Sequence, residues 1–302
     1  MYRTIFGPIQ SRRFGLSLGI DLSPERKSCN YDCLYCELKP AKVTDHIVHP
    51  PKVEEIMTEV ERAMEEFSDL DVVTITANGE PTLYEDLDTL VDTLNRIKGE
   101  KKLLILSNAS RIMEPEIQKT LSKIDIVKLS LDCASQRCFK RIDRPMRGVE
   151  IEKIIEGMKA FRKMYEGELI VETLVVQGIN DKEEEMEALA AVLKQICPDR
   201  IDLGTIDRPP AYDVKPVSTE RLRELASYLG ALPISIIHKE EPKERIDFSE
   251  EEILSTIKRR PQSVSDVAYL FSEAAKERLQ KLIEEGKVKE KEIAGVRFFT
   301  SA

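Results

Sequence analysis

Short apolar runs of strand length alternate with helix-period segments along most of this chain, and that alternation limits the fold more than any other feature. Segments 15–22, 72–77, 102–106, 126–131, 168–176, 200–203 and 234–237 read as strands. Between them, 52–67, 84–97, 114–122, 149–163, 181–196 and 218–229 carry apolar residues at helical spacing, as Ile56, Met57, Val60, Ala63 and Met64 do. Six or more βα units predict an α/β fold with a parallel sheet covered by helices. The run Leu103-Leu104-Ile105-Leu106 suits a strand buried on both faces. Too few strands remain for an eight-fold barrel, so a partial barrel is expected. Its chemistry belongs at the C-terminal ends of the strands.

The pattern changes near His238, which closes a first domain over 1–238. Residues 239–248 read as a charged linker. Beyond it, 251–259, 263–271 and 272–285 read as three helices, and 287–292 with 296–300 as a ribbon turning at Ala294-Gly295. That order predicts a winged helix over 249–302. Lys276, Arg278 and Lys281 are balanced by Glu273, Glu277, Glu284 and Glu285, so no strong excess of positive charge faces outward. The segment is expected to dock a protein or cover a substrate in preference to binding nucleic acid.

The formal net charge of −9 argues the same way. No apolar run approaches the roughly 20 residues that cross a bilayer. The first residues hold no signal-peptide core, and a cytoplasmic location without membrane contact is expected.

Three of six cysteines fall within the eight positions Cys29-Asn30-Tyr31-Asp32-Cys33-Leu34-Tyr35-Cys36. A C-x3-C-x2-C loop can hold three corners of a cubane cluster and leave the fourth iron open to a small molecule. The alternative is a zinc ion completed by His46 or His49. Cys133, Cys138 and Cys197 read as packing residues too far apart for a second cluster. Cys133 carries the further reading of a hydrogen donor. Arg12 and Arg13 read equally as an anion clamp or as a salt-bridged rim.

The cysteine motif, with Tyr35 before its last cysteine, resembles the signature of the radical SAM superfamily. The stretch from Gly7 to Asp21 is similar to a subgroup related to the wyosine-forming tRNA enzymes. The resemblance runs through about the first 235 residues. It implies a partial (β/α)6 barrel with a 4Fe–4S cluster on Cys29, Cys33 and Cys36. It also implies an oxidoreductase-like enzyme that cleaves S-adenosylmethionine (SAM) reductively to a 5′-deoxyadenosyl radical. Asn78-Gly79-Glu80-Pro81 resembles the motif that receives the methionyl ammonium, with Asn78 where the family has glycine.

By the same resemblance Asn108 follows the third strand at a SAM-contact position, and Ser130 and Asp132 match ribose-binding positions. Arg144 matches the arginine that meets the SAM carboxylate, and Asn180 lies in a stretch near the adenosine. The implied partners are a reductant such as ferredoxin or flavodoxin and an unidentified substrate. Two rival readings are a tRNA-modifying enzyme and a DNA-binding iron–sulfur sensor.

Overall fold

A computed structural model describes residues 2–11, 13–236, 245–259, 261–293 and 296–302. Arg12, His238, the Ile237 end of the last expected strand, positions 239–244 of the expected linker and the turn at Ala294-Gly295 lie outside the described residues.

Eight strands form one sheet in the order in which they occur. They are β1 (Ile5–Ser11), β2 (Gly15–Asp21), β3 (Val72–Thr76), β4 (Lys102–Ser107), β5 (Ile126–Ser130), β6 (Glu168–Val175), β7 (Arg200–Thr205) and β8 (Ile234–Ile236). β1 runs antiparallel to β2, and every later neighbour is parallel. Helices α1 (Val53–Glu66), α2 (Leu87–Ile97), α3 (Pro115–Leu121), α4 (Gln136–Ile142), α5 (Ile151–Met164), α6 (Glu183–Ile196) and α7 (Thr219–Tyr228) occupy the connections.

β1 has no counterpart in the sequence reading because Gly7-Pro8 interrupts its apolar run. The chain accommodates the break with a register shift between Phe6 and Ile9, and a proline is tolerated because β1 is an edge strand. α4 was also missed, since seven residues give little periodic signal. A hydrogen bond from the Cys138 amide to the Ser135 hydroxyl (3.2 Å) starts it.

Strand alternation sorts the side chains onto two faces. Leu18, Val73, Ile75, Leu103, Ile105, Val127 and Leu203 are buried in the main core with the apolar stripes of the helices. On α1 that stripe is Ile56, Met57, Val60 and Ala63. The other face carries Val72, Leu104, Ile126 and Ile170, which pack with Phe14 into a separate small cluster. Farther along the same face lie Thr74, Thr76, Lys128 and Glu172, which line a large cavity.

The C-terminal residues build a second core. Helices α8 (Glu250–Arg259), α9 (Val264–Leu270) and α10 (Glu273–Glu284) pack with a three-stranded antiparallel sheet of β9 (Gln262–Ser263), β10 (Val288–Ile293) and β11 (Val296–Ser301). Phe248 and Phe271 lie at its centre with ring centroids 4.9 Å apart. Within the 239–248 stretch, Ile246 bridges to Phe271 and Phe248 is buried in this core. The unit abuts the sheet: Arg208 Nη1 donates to the Pro261 carbonyl (2.9 Å). Among the described residues no helix is long and apolar enough to cross a membrane.

Candidate functional site

The cysteine loop leaves β2 at the C-terminal edge of the sheet and is fastened from three sides. The Ser28 amide donates to the Asn78 carbonyl (2.9 Å), and the Glu80 amide donates to the Ser28 carbonyl (3.0 Å). Gly79 lies between them at φ 144°, where an added Cβ would stand 1.8 Å from the Ser28 carbonyl oxygen. Only glycine permits that approach. From a second side, the Asp32 and Leu34 amides donate to the Asp143 and Ile142 carbonyls at the end of α4 (3.1 and 2.9 Å). From a third, the Ala211 amide donates to the Cys36 carbonyl (2.7 Å).

Cys29, Cys33 and Cys36 are all free thiols. The Tyr31 amide donates to Cys29 Sγ (3.4 Å), Cys33 Sγ donates to Asp143 Oδ1 (3.4 Å), and Lys27 Nζ donates to Cys36 Sγ (3.3 Å). Burial, with Glu80 nearby, pushes the Cys29 thiol up to about 12, and burial pushes Cys33 well above its usual value. Burial also works against the Lys27 ammonium, yet the charge and hydrogen bond of Cys36, with Cys29 and Cys33 behind them, hold its pKa above the usual lysine value. One buried cation thus feels all three thiols. Among the described residues no three His, Cys, Asp or Glu side chains converge closely enough to hold a single ion. His46 is exposed and hydrogen-bonds Asp45. Three free thiols on one pinned loop with a compensating cation fit the three protein ligands of a cubane cluster.

The other expected site residues divide into holders of the rim and outliers. Glu80 is fully buried. Its carboxylate accepts from the Thr82 amide (3.0 Å), the Thr82 hydroxyl (2.6 Å), the Ser107 hydroxyl (2.7 Å) and the Asn108 amide (2.7 Å). It ties the β3 rim to the β4 rim and has little capacity left for a ligand. Asn108 donates to Asn30 Oδ1 (3.0 Å) and points its Nδ2 at Cys29 Sγ, 3.6 Å away. Asn180 is buried, donates to the Asp132 and Leu174 carbonyls (3.0 and 2.9 Å) and accepts from the Val176 amide (2.7 Å). It clips the ends of β5 and β6 together.

Asp132 accepts from the Leu174 amide (2.7 Å), and its second oxygen makes no well-formed hydrogen bond, with Tyr35 and Asp143 beside the carboxyl. Burial raises Asp132 to about 7, and burial with the Asp132 charge raises Asp143 well above the carboxylate range. Tyr35 and Ser130 join them around a small buried pocket. Arg144 stands apart. It has a left-handed φ of 47°, an Asp32 carboxylate oxygen 3.1 Å from its Nη2, and the Tyr212 ring 4.6 Å from its guanidinium carbon.

The cysteines differ from expectation in one respect, and Arg13 follows one of its two expected readings. Cys133 and Cys138 are not separate packing residues: they form a disulfide, with Cα atoms 5.7 Å apart. Only five positions separate them, but the α4 turn that joins them was not legible. Arg13 is a salt-bridged residue, paired with Asp202 and donating to the Ser235 carbonyl (3.1 Å).

The sequence reading missed a charged layer inside the sheet. Lys128 Nζ is 2.5 Å from Glu172 Oε1 and 3.2 Å from Asp202 Oδ2, and Arg200 Nε is 2.9 Å from Asp202 Oδ1. Charged residues inside otherwise apolar strands were the available signal. Lys128 and Glu172 line a cavity of about 1280 Å³, which Tyr35, Cys36 and Gly79 border above and Leu254, Lys258 and Gln262 border from the C-terminal unit. Pockets for a single small ligand run to roughly 300–1,000 Å³, so this cavity is roomier than one such ligand requires.

Residues 27–190 match the family model described as the radical SAM superfamily. A UPF0026 protein of Helicobacter pylori is 38% identical over 298 residues, 98% of this chain and 96% of that protein. A solved radical SAM methyltransferase from Sphaerobacter thermophilus shares the fold with a TM-score of 0.58 at 17% identity, over 73% of this chain and 65% of that one. The structure of TYW1 with a lysine-pyruvate adduct bound gives 0.54 at 17% identity, over 70% and 72%. With the pinned trio of thiols at the strand ends, these likenesses mean that the chain belongs to the radical SAM superfamily, whose members use a 4Fe–4S cluster and S-adenosylmethionine.

Proposed function

We propose that this chain is a radical SAM enzyme with its cluster on Cys29, Cys33 and Cys36 and its substrate in the cavity beside Lys128 and Glu172. The observation that carries the reading is the meeting of three free thiols, the Gly79 turn and one large cavity at the C-terminal edge of a parallel sheet. When bound, cluster and SAM together supply a 5′-deoxyadenosyl radical, which takes hydrogen from a substrate.

The chain's own residues bind, orient and shield. Lys27 places a buried positive charge against Cys36, offsetting thiolate charge where water is scarce. Gly79 brings backbone within reach of a ligand. Because Glu80 and Asn180 spend their polar atoms on the chain, we assign them to shaping the SAM site. Tyr35, Asn108, Ser130 and Asp132 are the side chains beside it, and Arg144 serves by holding Asp32 of the cysteine loop. Lys128 and Glu172 present a paired charge to the substrate.

In this reading the chain as far as β8 forms a partial (β/α)6 barrel, and the C-terminal unit, which takes Ile246 and Phe248 from the end of the expected 239–248 linker into its own packing, is a winged-helix domain that covers the cavity and excludes water. The setting is the cytoplasm, and the electron comes from a ferredoxin or flavodoxin. The test is anaerobic reconstitution with iron and sulfide, reduction, and assay for 5′-deoxyadenosine from SAM. Formation at catalytic yield is expected. A reconstituted protein that holds four irons yet leaves SAM intact would refute the reading.

A further inference from the structure

The segment 136–147 carries Arg137, Lys140, Arg141, Arg144 and Arg147, five cations in twelve residues of a chain whose net charge is −9. All five are exposed, while the one acid among them, Asp143, is buried. Arg144 is paired with Asp32, and Arg141 donates to the Gly178 carbonyl. Arg137, Lys140 and Arg147 form no ion pair with any described residue. Such a concentration of uncompensated charge is costly by self-repulsion and attracts an anionic partner.

Its position says which partner. The segment carries the backbone carbonyls of Ile142 and Asp143 that hold the cysteine loop, and the Met146 amide donates to the Asn30 carbonyl (2.8 Å). Asp143 touches Cys33 directly. None of the five cations lines the cavity, which meets the loop at Tyr35 and Cys36 instead. The face therefore adjoins the cysteine loop and not the cavity. An electron carrier needs only the short path through the loop. α4 is about 10 Å long, and five exposed cations on it and the short stretch after it make a compact patch, as the small, weak encounters of redox partners use.

We infer that the 136–147 face is the docking surface for a small, strongly acidic electron-carrier protein, which gives one electron across the Cys33 side of the loop and leaves oxidised by one electron. The inference rests on the function proposed above for its purpose, but its binding arm does not depend on a cluster.

Calorimetry would measure binding of a net-acidic flavodoxin to the full chain and to the triple variant R137E/K140E/R147E, whose circular dichroism should match the parent. At least about ten-fold weaker binding is expected in the variant, with parent affinity falling as salt rises. In reconstituted protein, cluster reduction by reduced flavodoxin should slow by about the same factor. Photoreduced deazariboflavin, a small reductant, should reduce both proteins equally.

Unchanged flavodoxin binding, salt-independent binding, or equal loss with both reductants would overturn the inference. So would loss of tRNA or duplex DNA binding in the variant with flavodoxin binding intact, which would assign the face to nucleic acid. If the charge reversal does not fold, R137Q/K140Q/R147Q and the salt series on the parent decide the matter. Failure of SAM cleavage with deazariboflavin in the parent would count against the proposed function and leave the binding result standing.

Discussion

Two buried carboxylates, Glu80 just past the end of β3 and Asp202 within β7, are satisfied in opposite ways. At the rim, Glu80 is surrounded by neutral donors from Thr82, Ser107 and Asn108. In the middle layer, Asp202, with a fully buried side chain, is surrounded by Arg13, Arg200 and Lys128. The first arrangement fixes loop geometry, since each donor belongs to a different part of the β3 and β4 exits. The second collects charge across strands and leaves a lysine facing the cavity. The difference separates two jobs. Glu80 belongs to a frame and has its carboxylate already spent, whereas the middle layer keeps charged groups facing the cavity.

Substitutions can break or sharpen that contrast. The largest effect is expected from Gly79→Ala, because its methyl group would occupy the position of the Ser28 carbonyl. Roughly 4 kcal/mol of stability should be lost, seen by denaturant unfolding, together with most of the iron after reconstitution. Asp202→Asn comes next. It leaves three cations without their shared anion, at a cost of about 3 kcal/mol. Iron content should be retained, because the middle layer does not hold the loop. Loss of iron there would erase the distinction between frame and layer.

Glu80→Gln is milder, about 1–2 kcal/mol, since one donor loses its acceptor. It also carries a pH signature. Burial holds the Glu80 carboxyl above its ordinary value of 4.5, although Thr82, Asn108 and Ser107 pull it back. The contribution of that carboxyl is therefore fully present below the ordinary value and is lost as pH rises through the raised one. Unfolding measured between about pH 4 and about pH 8 should show the gap between parent and variant narrowing with pH. A constant gap would mean that the Glu80 carboxyl is not perturbed by burial.

The sequence made β2 to β7 legible because parallel strands covered on both faces appear as continuous apolar runs, Leu103 to Ile105 being the clearest. It made the cysteine trio legible because loop ligands keep a short spacing. The rim residues were found by their motifs, but their partners were not. Glu80 meets Ser107 across 27 positions and Asn180 meets Asp132 across 48, distances that no local pattern encodes. Lys27 was overlooked because a lone lysine before a cysteine carries no spacing, and only folding brings its ammonium to Cys36. The Cys133–Cys138 disulfide was hidden by the short α4 helix that sets its geometry.

The central claim is that three thiols leave one corner of a cubane open for SAM. Electron paramagnetic resonance of the reconstituted, reduced protein, recorded with and without SAM, tests it most directly. The account predicts a single reduced 4Fe–4S signal that changes when SAM is added and is absent in Cys33→Ala. A reduced cluster signal indifferent to SAM, or an undiminished one in Cys33→Ala, would contradict it.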